Sequence, residues 1–261
     1  MNEMERSTIA AQMYTLREFT QTPEGLRESL RKVSEIGYQA VQISGIGPID
    51  PQLVKEYADE YGLKICATHV PWNRLVNDLD ALAAEHKLWN CKYIGLGALP
   101  AEYQTSQEGY RTFAKLASGI ARTLKEQYGL QFVYHNHDFE FERFEGMTGM
   151  EILLRESDPE VFGFELDLYW VQAGGGDPVE WIHKVKGRMQ AVHFKDMTIL
   201  SRKPVFAEIG QGNMNYGAII EACRKTGVEW HIVEQDVCQR DPFESLEISL
   251  NYLHAKLEVE A

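Results

Sequence analysis

The sequence predicts an α/β fold of one kind, a single (β/α)8 barrel of the TIM type over residues 1–261. Three observations predict it. Short β-branched or aromatic runs alternate with amphipathic stretches of helical periodicity, at a spacing of about 30 residues. Eight such units suit a chain of this length, and repeated β-α units build a parallel sheet. No Pro-, Ser- or Gly-rich linker and no shift in composition divides the chain. The competing open, doubly wound sheet carries a Gly-rich dinucleotide turn after its first strand, and none follows residue 16 here.

Residues 10–16 read as the buried first strand. Thr22-Pro23-Glu24-Gly25 opens a helix to about Ile36, with Leu26, Leu30 and Val33 at helical spacing and Gly37 as its stop. Residues 40–44 form strand two, followed by a Gly-rich turn and a helix over 51–61. Strand three is 63–69, the next helix 73–88, strand four 93–97, and 106–128 a long amphipathic helix. Strand five is 131–137, 150–155 belongs to a short helix, and 162–169 is strand six. Asp177-Pro178 starts another helix, with Asp as N-cap and Pro at the first helical position. Strand seven is 189–195, its helix 215–226, strand eight 230–235, and the last helix 242–254.

The formal net charge of −13, with 44% apolar and 25% charged residues, is ordinary for a soluble globular protein. It argues against a nucleic-acid or anionic-membrane partner, since those surfaces need clustered Lys and Arg. Cys66, Cys91, Cys223 and Cys238 lack CxxC spacing, so buried reduced thiols are expected rather than a disulfide framework. Residues 1–8 are polar, and no run of about 18 apolar residues occurs. The expectation is a cytoplasmic protein with no membrane partner; a homo-oligomer is compatible with the sequence but not specified by it.

Three predicted strands end in groups able to bind a divalent metal: Asp167 on strand six, His193 on strand seven and Glu234 on strand eight. In such a barrel the active site lies at the C-terminal strand ends, and neighbouring strands about 4.8 Å apart let three side chains share one ion. Taken singly, His193 is as readily a core histidine and Asp167 a loop cap; on adjacent strands they point to a shared site. Mixed carboxylate and imidazole donors suit Mn²⁺, taken first, or Mg²⁺, Co²⁺ or Zn²⁺. Strand five ends His135-Asn136-His137-Asp138-Phe139-Glu140, and periodicity does not choose a ligand among His135, His137 and Glu140.

Lys195, two residues past His193, faces the same side, where a cation stabilises an enolate or holds a substrate oxygen; an ion pair with Asp236 or Glu165 is the plainer reading. His69 ends strand three as a candidate substrate contact. Trp72, Tyr169 and Trp170 offer apolar walls for sugar rings, although aromatic side chains are more often core. The Gly-rich stretch 173–178 lacks GK[ST], and Asp177 would repel an anion, so it reads as a tight connection rather than a phosphate cradle. Residues 210–213, in the long loop after strand seven, suit a turn or active-site closure.

Residues 164–171 (FELDLYWV), 192–196 (VHFKD), 209–212 (IGQG) and 233–236 (VEQD) resemble the sugar phosphate isomerase/epimerase family of xylose isomerase-like TIM barrels, over the whole chain. The resemblance implies a metal held by Glu, Asp, His and Glu from strands five to eight. Asp167, His193 and Glu234 match the last three. Ketose 3-epimerases carry the first Glu inside strand five, where this sequence has Val133-Tyr134-His135. The His-Asn-His-Asp-Phe-Glu form is more similar to the inosose-dehydratase and keto-glycoside branches. The first ligand is therefore assigned to Glu140, with His137 as runner-up, and His135 is placed with His69, Trp72 and Trp170 as a substrate contact.

The expected function is a metal-dependent sugar isomerase or epimerase. Glu234, Glu140 or His137 would remove the proton next to a keto-sugar carbonyl, and Lys195 would hold the enediolate. A lyase or dehydratase on a 3-keto-glycoside or inosose is the alternative from the same site. A non-catalytic sugar-binding protein is the alternative of another class. DNA repair, also hosted by this superfamily, lacks its basic face here.

Overall fold

The computed structural model of the protein describes residues 9–259; the polar segment 1–8 lies outside the described residues. Eight strands form a closed parallel barrel: β1 (Ile9–Gln12), β2 (Ala40–Ile43), β3 (Lys64–His69), β4 (Tyr93–Leu96), β5 (Gln131–His135), β6 (Phe162–Asp167), β7 (Met189–Phe194) and β8 (Trp230–Val233). Each pairs with its neighbours in sequence order, and β8 returns to β1. The predicted barrel is therefore the observed one. Among the described residues no helix is long and apolar enough to cross a membrane, and all four cysteines are free.

Local chemistry sets the helix limits. The helix Pro23–Ile36 is capped by the Thr22 hydroxyl and stopped by Gly37 at φ +116°, a left-handed conformation that glycine adopts without strain. Asp177 caps Pro178–Lys184 through the Glu180 N–H, as its Asp-Pro start predicts. The expected helix over 73–88 is instead two, Trp72–Asn77 and Leu79–Leu88, because Asp78 between them leaves helical geometry. Gly174 and Gly176 pack on the Phe141 ring, where a Cβ would fall within 3 Å. Close packing accounts for those two glycines, and the left-handed φ of +84° for Gly175 between them.

Three strands end sooner than their apolar runs. The chain turns into a 3-10 segment after Gln12, strand five stops at His135, and strand six stops at Asp167, which caps the short helix Leu168–Ala173. Two hairpins stand where the sequence reads as loop: Arg143–Phe144 with Met147–Thr148, and Asp196–Leu200 with Lys203–Ala207. The second turns through Ser201 and Arg202, both at positive φ, without the Asn-Gly pair that usually marks such a turn. Its base is held by Asp196, whose carboxylate accepts the N–H groups of Met197, Gly210, Gly212 and Met214. Residues 210–213 are thus tied to the root of that hairpin.

Period-two alternation along the strands builds the barrel interior in layers. The lower layer is small and apolar, with Ala10, Ala40, Ala67, Tyr93, Val133, Ala191 and Ile232 clustered together. Two residues on along the same strands stand Gln12, Gln42, His69, Gly95, His135, His193 and Glu234, and two further on are Gly97, Lys195 and Asp236. Strand β6 adds Glu165 and Asp167. The C-terminal half of the barrel is filled with polar groups, most of them fully buried. A core that gives up apolar contact there needs every polar atom paired.

Candidate metal centre

Register brings the strand ends together. Asp167 lies opposite His193 across β6 and β7, Ile232 opposite His193 places Glu234 two residues beyond on β8, and His135 is opposite Glu165 on β5. The ligand atoms of His135, Asp167, His193 and Glu234 all lie within 4.8 Å of one another, and all four residues are buried. His193 Nδ1 is 2.8 Å from Glu234 Oε2 and 3.9 Å from Asp167 Oδ2; His135 Nε2 is 3.3 Å from Asp167 Oδ2 and 4.0 Å from Glu234 Oε2. Bonds of about 2.1 Å to a common ion separate ligand atoms by about 3 to 3.5 Å. The four atoms bracket that spacing.

Outer contacts aim both imidazoles inward. His135 Nδ1 is 3.0 Å from the Gly97 carbonyl oxygen. A carbonyl only accepts, so Nδ1 carries a proton and Nε2 is the nitrogen turned toward Asp167 and Glu234. That nitrogen is free to meet a cation shared with the two carboxylates. Asp167 divides its oxygens: Oδ1 caps the next helix through Trp170 N–H, and Oδ2 faces the cluster. The cap and the ligand are the two ends of one side chain. Asn136 secures the Asp167 backbone, accepting its N–H at 3.0 Å and donating to its carbonyl oxygen.

Charge completes the fit. Lys195 is fully buried, with Nζ 2.8 Å from Asp167, 2.9 Å from Glu234 and 2.5 Å from Asp236. Burial opposes its charge, but these carboxylates hold its pKa above the ordinary lysine range. Burial likewise opposes protonation of His193, yet Glu165 and Glu234 push it up to about 10. Burial would raise Glu234, and Lys195 and His193 hold it well below the ordinary carboxylate range. Glu165, Asp167, Glu234 and Asp236 thus outnumber the two cations Lys195 and His193, and the excess negative charge suits a dication.

A second group, His69, Glu165 and His193, adjoins the first. Glu165 is fully buried and lies 2.6 Å from His69 Nε2 and 3.5 Å from His193 Nε2. The His69 ring has room because Gly95 and Gly97 flank it, where a Cβ would come within 3 Å. His69 therefore reaches the cluster, but through Glu165.

The structure places Glu140, the candidate first ligand, apart from the other three. Glu140 lies outside the cluster, buried in a short 3-10 turn after the strand. One oxygen accepts from the Tyr134 hydroxyl and the other from the His137 backbone N–H at 2.8 Å. The strand-five corner is occupied by His135, assigned above to substrate. His137 stacks on Phe139 and sits 5.5 Å from the Trp170 ring, and its Nδ1 and Trp170 Nε1 are buried without a partner. Trp72 packs on Phe113 and Tyr103. Sequence reasoning missed Gln12, Gln42 and Asn136 altogether, undervalued Glu165, and missed Phe206, a hairpin residue 4.3 Å from Tyr169 and 5.6 Å from Trp170. A cavity of about 370 Å³ opens at the opposite mouth of the barrel, beside Lys64, Tyr93 and Trp230, away from these groups.

Burial pushes the Glu140 carboxyl up to about 7, against the pull of Tyr134 and the His137 N–H. The stability this contributes is complete below the unfolded value of 4.5 and is lost as pH rises through about 7, by about 3 kcal/mol. Urea unfolding of wild type should show that loss relative to Glu140→Gln, which does not titrate there; parallel pH profiles would contradict it.

The profile of the xylose isomerase-like TIM barrel family matches residues 30–255. The chain belongs to this family. It is similar to an inosose dehydratase of Geobacillus kaustophilus, 24% identical over 64% of this chain and 61% of that protein. The chain thus spans less than two thirds of that relative's length. A sugar phosphate isomerase/epimerase from Parabacteroides distasonis superposes with a TM-score of 0.78 at 25% identity, covering 94% of this chain and 97% of the other. A probable 3-DHS dehydratase from Bacillus anthracis shares the fold with a TM-score of 0.73 at 14% identity, over 95% and 98% of the two chains.

Proposed function

We propose that the protein is a divalent-metal-dependent sugar isomerase or epimerase that removes the proton beside a keto-sugar carbonyl. The observation that carries this reading is the buried quartet His135, Asp167, His193 and Glu234 with Lys195 against it. Those four residues would hold one ion, Mn²⁺ first, with Mg²⁺, Co²⁺ or Zn²⁺ also suited to mixed nitrogen and oxygen donors. When bound, the ion supplies a Lewis acid for a carbonyl and its neighbouring hydroxyl.

Glu234 is the base in this reading. Its carboxylate takes the α-proton, and the C–H electron pair moves toward the carbonyl oxygen to give an enediolate. Lys195 serves two ends. In the resting site it bonds to Glu234 and weakens it as a base; turning its N–H groups to the developing oxyanion frees Glu234 as charge accumulates. Trp170, Tyr169 and Phe206 form an aromatic wall, and the unpartnered His137 Nδ1 and Trp170 Nε1 suit sugar hydroxyls. Glu140 acts behind the site, holding the His137 backbone.

One observation favours a second reading. At the strand-five corner His135, tied by Nδ1 to Gly97, offers no carboxylate to return a proton from the other face. That suits a reaction needing one face only, and the similarity to a dehydratase points the same way. The enediolate electrons would then expel a β-substituent from a 3-keto-glycoside or inosose, which leaves with a proton.

Incubation of the metal-loaded protein with keto-sugars, 3-keto-glycosides and inosose in deuterated water separates the readings. Deuterium at the α-carbon of an intact sugar is the result expected of an isomerase or epimerase. An unsaturated ketone points to the lyase. Sugar binding with neither exchange nor elimination, and indifferent to chelator, would sink both in favour of a binding protein.

A further inference from the structure

Two buried glutamines outside the quartet form a directional chain with a determined polarity. Gln12 Oε1 accepts the Tyr14 backbone N–H, so its amide nitrogen faces inward and donates to Gln42 Oε1 at 2.8 Å. Gln42 Nε2 donates to both oxygens of Glu165, at 3.0 and 3.1 Å. The reverse orientation of the Gln42 amide would set its oxygen against a carboxylate and its NH₂ against the Gln12 NH₂. Gln42 Oε1 is therefore the atom that meets His193 Nε2, at 2.7 Å. An amide oxygen accepts and never donates, so the proton between them belongs to His193 Nε2. Both glutamines are completely buried, where an idle polar group is costly.

We propose that Gln42, locked by Gln12 and Glu165, is a positioning residue that keeps the proton of His193 on Nε2 and so reserves Nδ1 for the cation. Glu165 lies 3.5 Å from the same nitrogen and reinforces the arrangement. The inference rests on the reading of His193 as a ligand, and it assigns the barrel's first two strands a part in that site. Neither strand supplies a residue of the quartet.

The test uses Zn²⁺ with the stripped full-length protein. In ¹⁵N-resolved imidazole spectra of the Zn²⁺-loaded wild type, His193 should be protonated at Nε2 and metal-bound at Nδ1. Gln42→Met, which keeps bulk and removes the acceptor, should weaken Zn²⁺ binding about 10- to 100-fold, the usual effect of removing such an outer partner. Gln12→Met should act in the same direction and less, and serves if Gln42→Met does not fold. Zn²⁺ on Nε2, or folded variants that bind Zn²⁺ as wild type does, would overturn the role of Gln42 while leaving the metal reading intact. A wild type that binds no Zn²⁺ or other divalent ion would overturn the metal reading, and this inference with it.

Discussion

Glu234→Gln is expected to slow α-proton exchange by about 10²- to 10⁴-fold, the range for loss of a positioned general base. The substitution keeps shape and removes the charge that His193 and Lys195 both contact. It also weakens the cation site, so the two effects need separating. Asp167→Asn provides the control: it removes a ligand carboxylate that is not the base. At saturating Mn²⁺, Asp167→Asn should recover most of its exchange rate and Glu234→Gln should not. Equal recovery would remove Glu234 from the role of base and leave it a ligand only.

Lys195→Met is expected to move stability and metal affinity in opposite directions. Without metal it leaves Asp167, Glu234 and Asp236 facing one another without their shared cation, and breaking a buried ion pair by removing one partner costs about 3–5 kcal/mol. The same loss removes a competitor for those oxygens, so the variant should bind Mn²⁺ more tightly than wild type. Saturation at about a hundred times the dissociation constant would return about 2.7 kcal/mol. Exchange activity should stay low, because nothing replaces the ammonium beside the enediolate. Urea unfolding with and without Mn²⁺ measures both effects; a variant as stable as wild type and indifferent to the ion would contradict the electrostatic account.

The barrel was legible because its signals are local and repeated. Apolar runs at the β period alternate with capped amphipathic helices, and Thr22, Gly37 and Asp177-Pro178 fix helix ends without help from tertiary structure. Asp167, His193 and Glu234 were legible because ligand-capable groups at the ends of successive apolar strands need an explanation beyond packing. Glu140 reads as reaching the site because strand five reads as continuing to residue 137. The chain turns at His135, and a local hydrogen bond from Tyr134, six residues back, holds the carboxylate away from the cluster. Gln12, Gln42 and Glu165 are single polar residues inside apolar strands; a signal was present, since each stands at an inward position two residues beyond a small one. Their partners lie on other strands, so no run of sequence shows the pairing. The hairpin 196–207 was hidden by a turn without Asn-Gly.

The central claim is that four residues, with His135 rather than Glu140 from strand five, hold one divalent ion. Calorimetric titration of stripped protein with Mn²⁺ tests it most directly. Wild type and Glu140→Gln should each take up a single ion per chain with similar affinity, and His135→Ala should lose most of that affinity while remaining folded. Absence of saturable binding in wild type, or loss of binding in Glu140→Gln with His135→Ala unaffected, would contradict it.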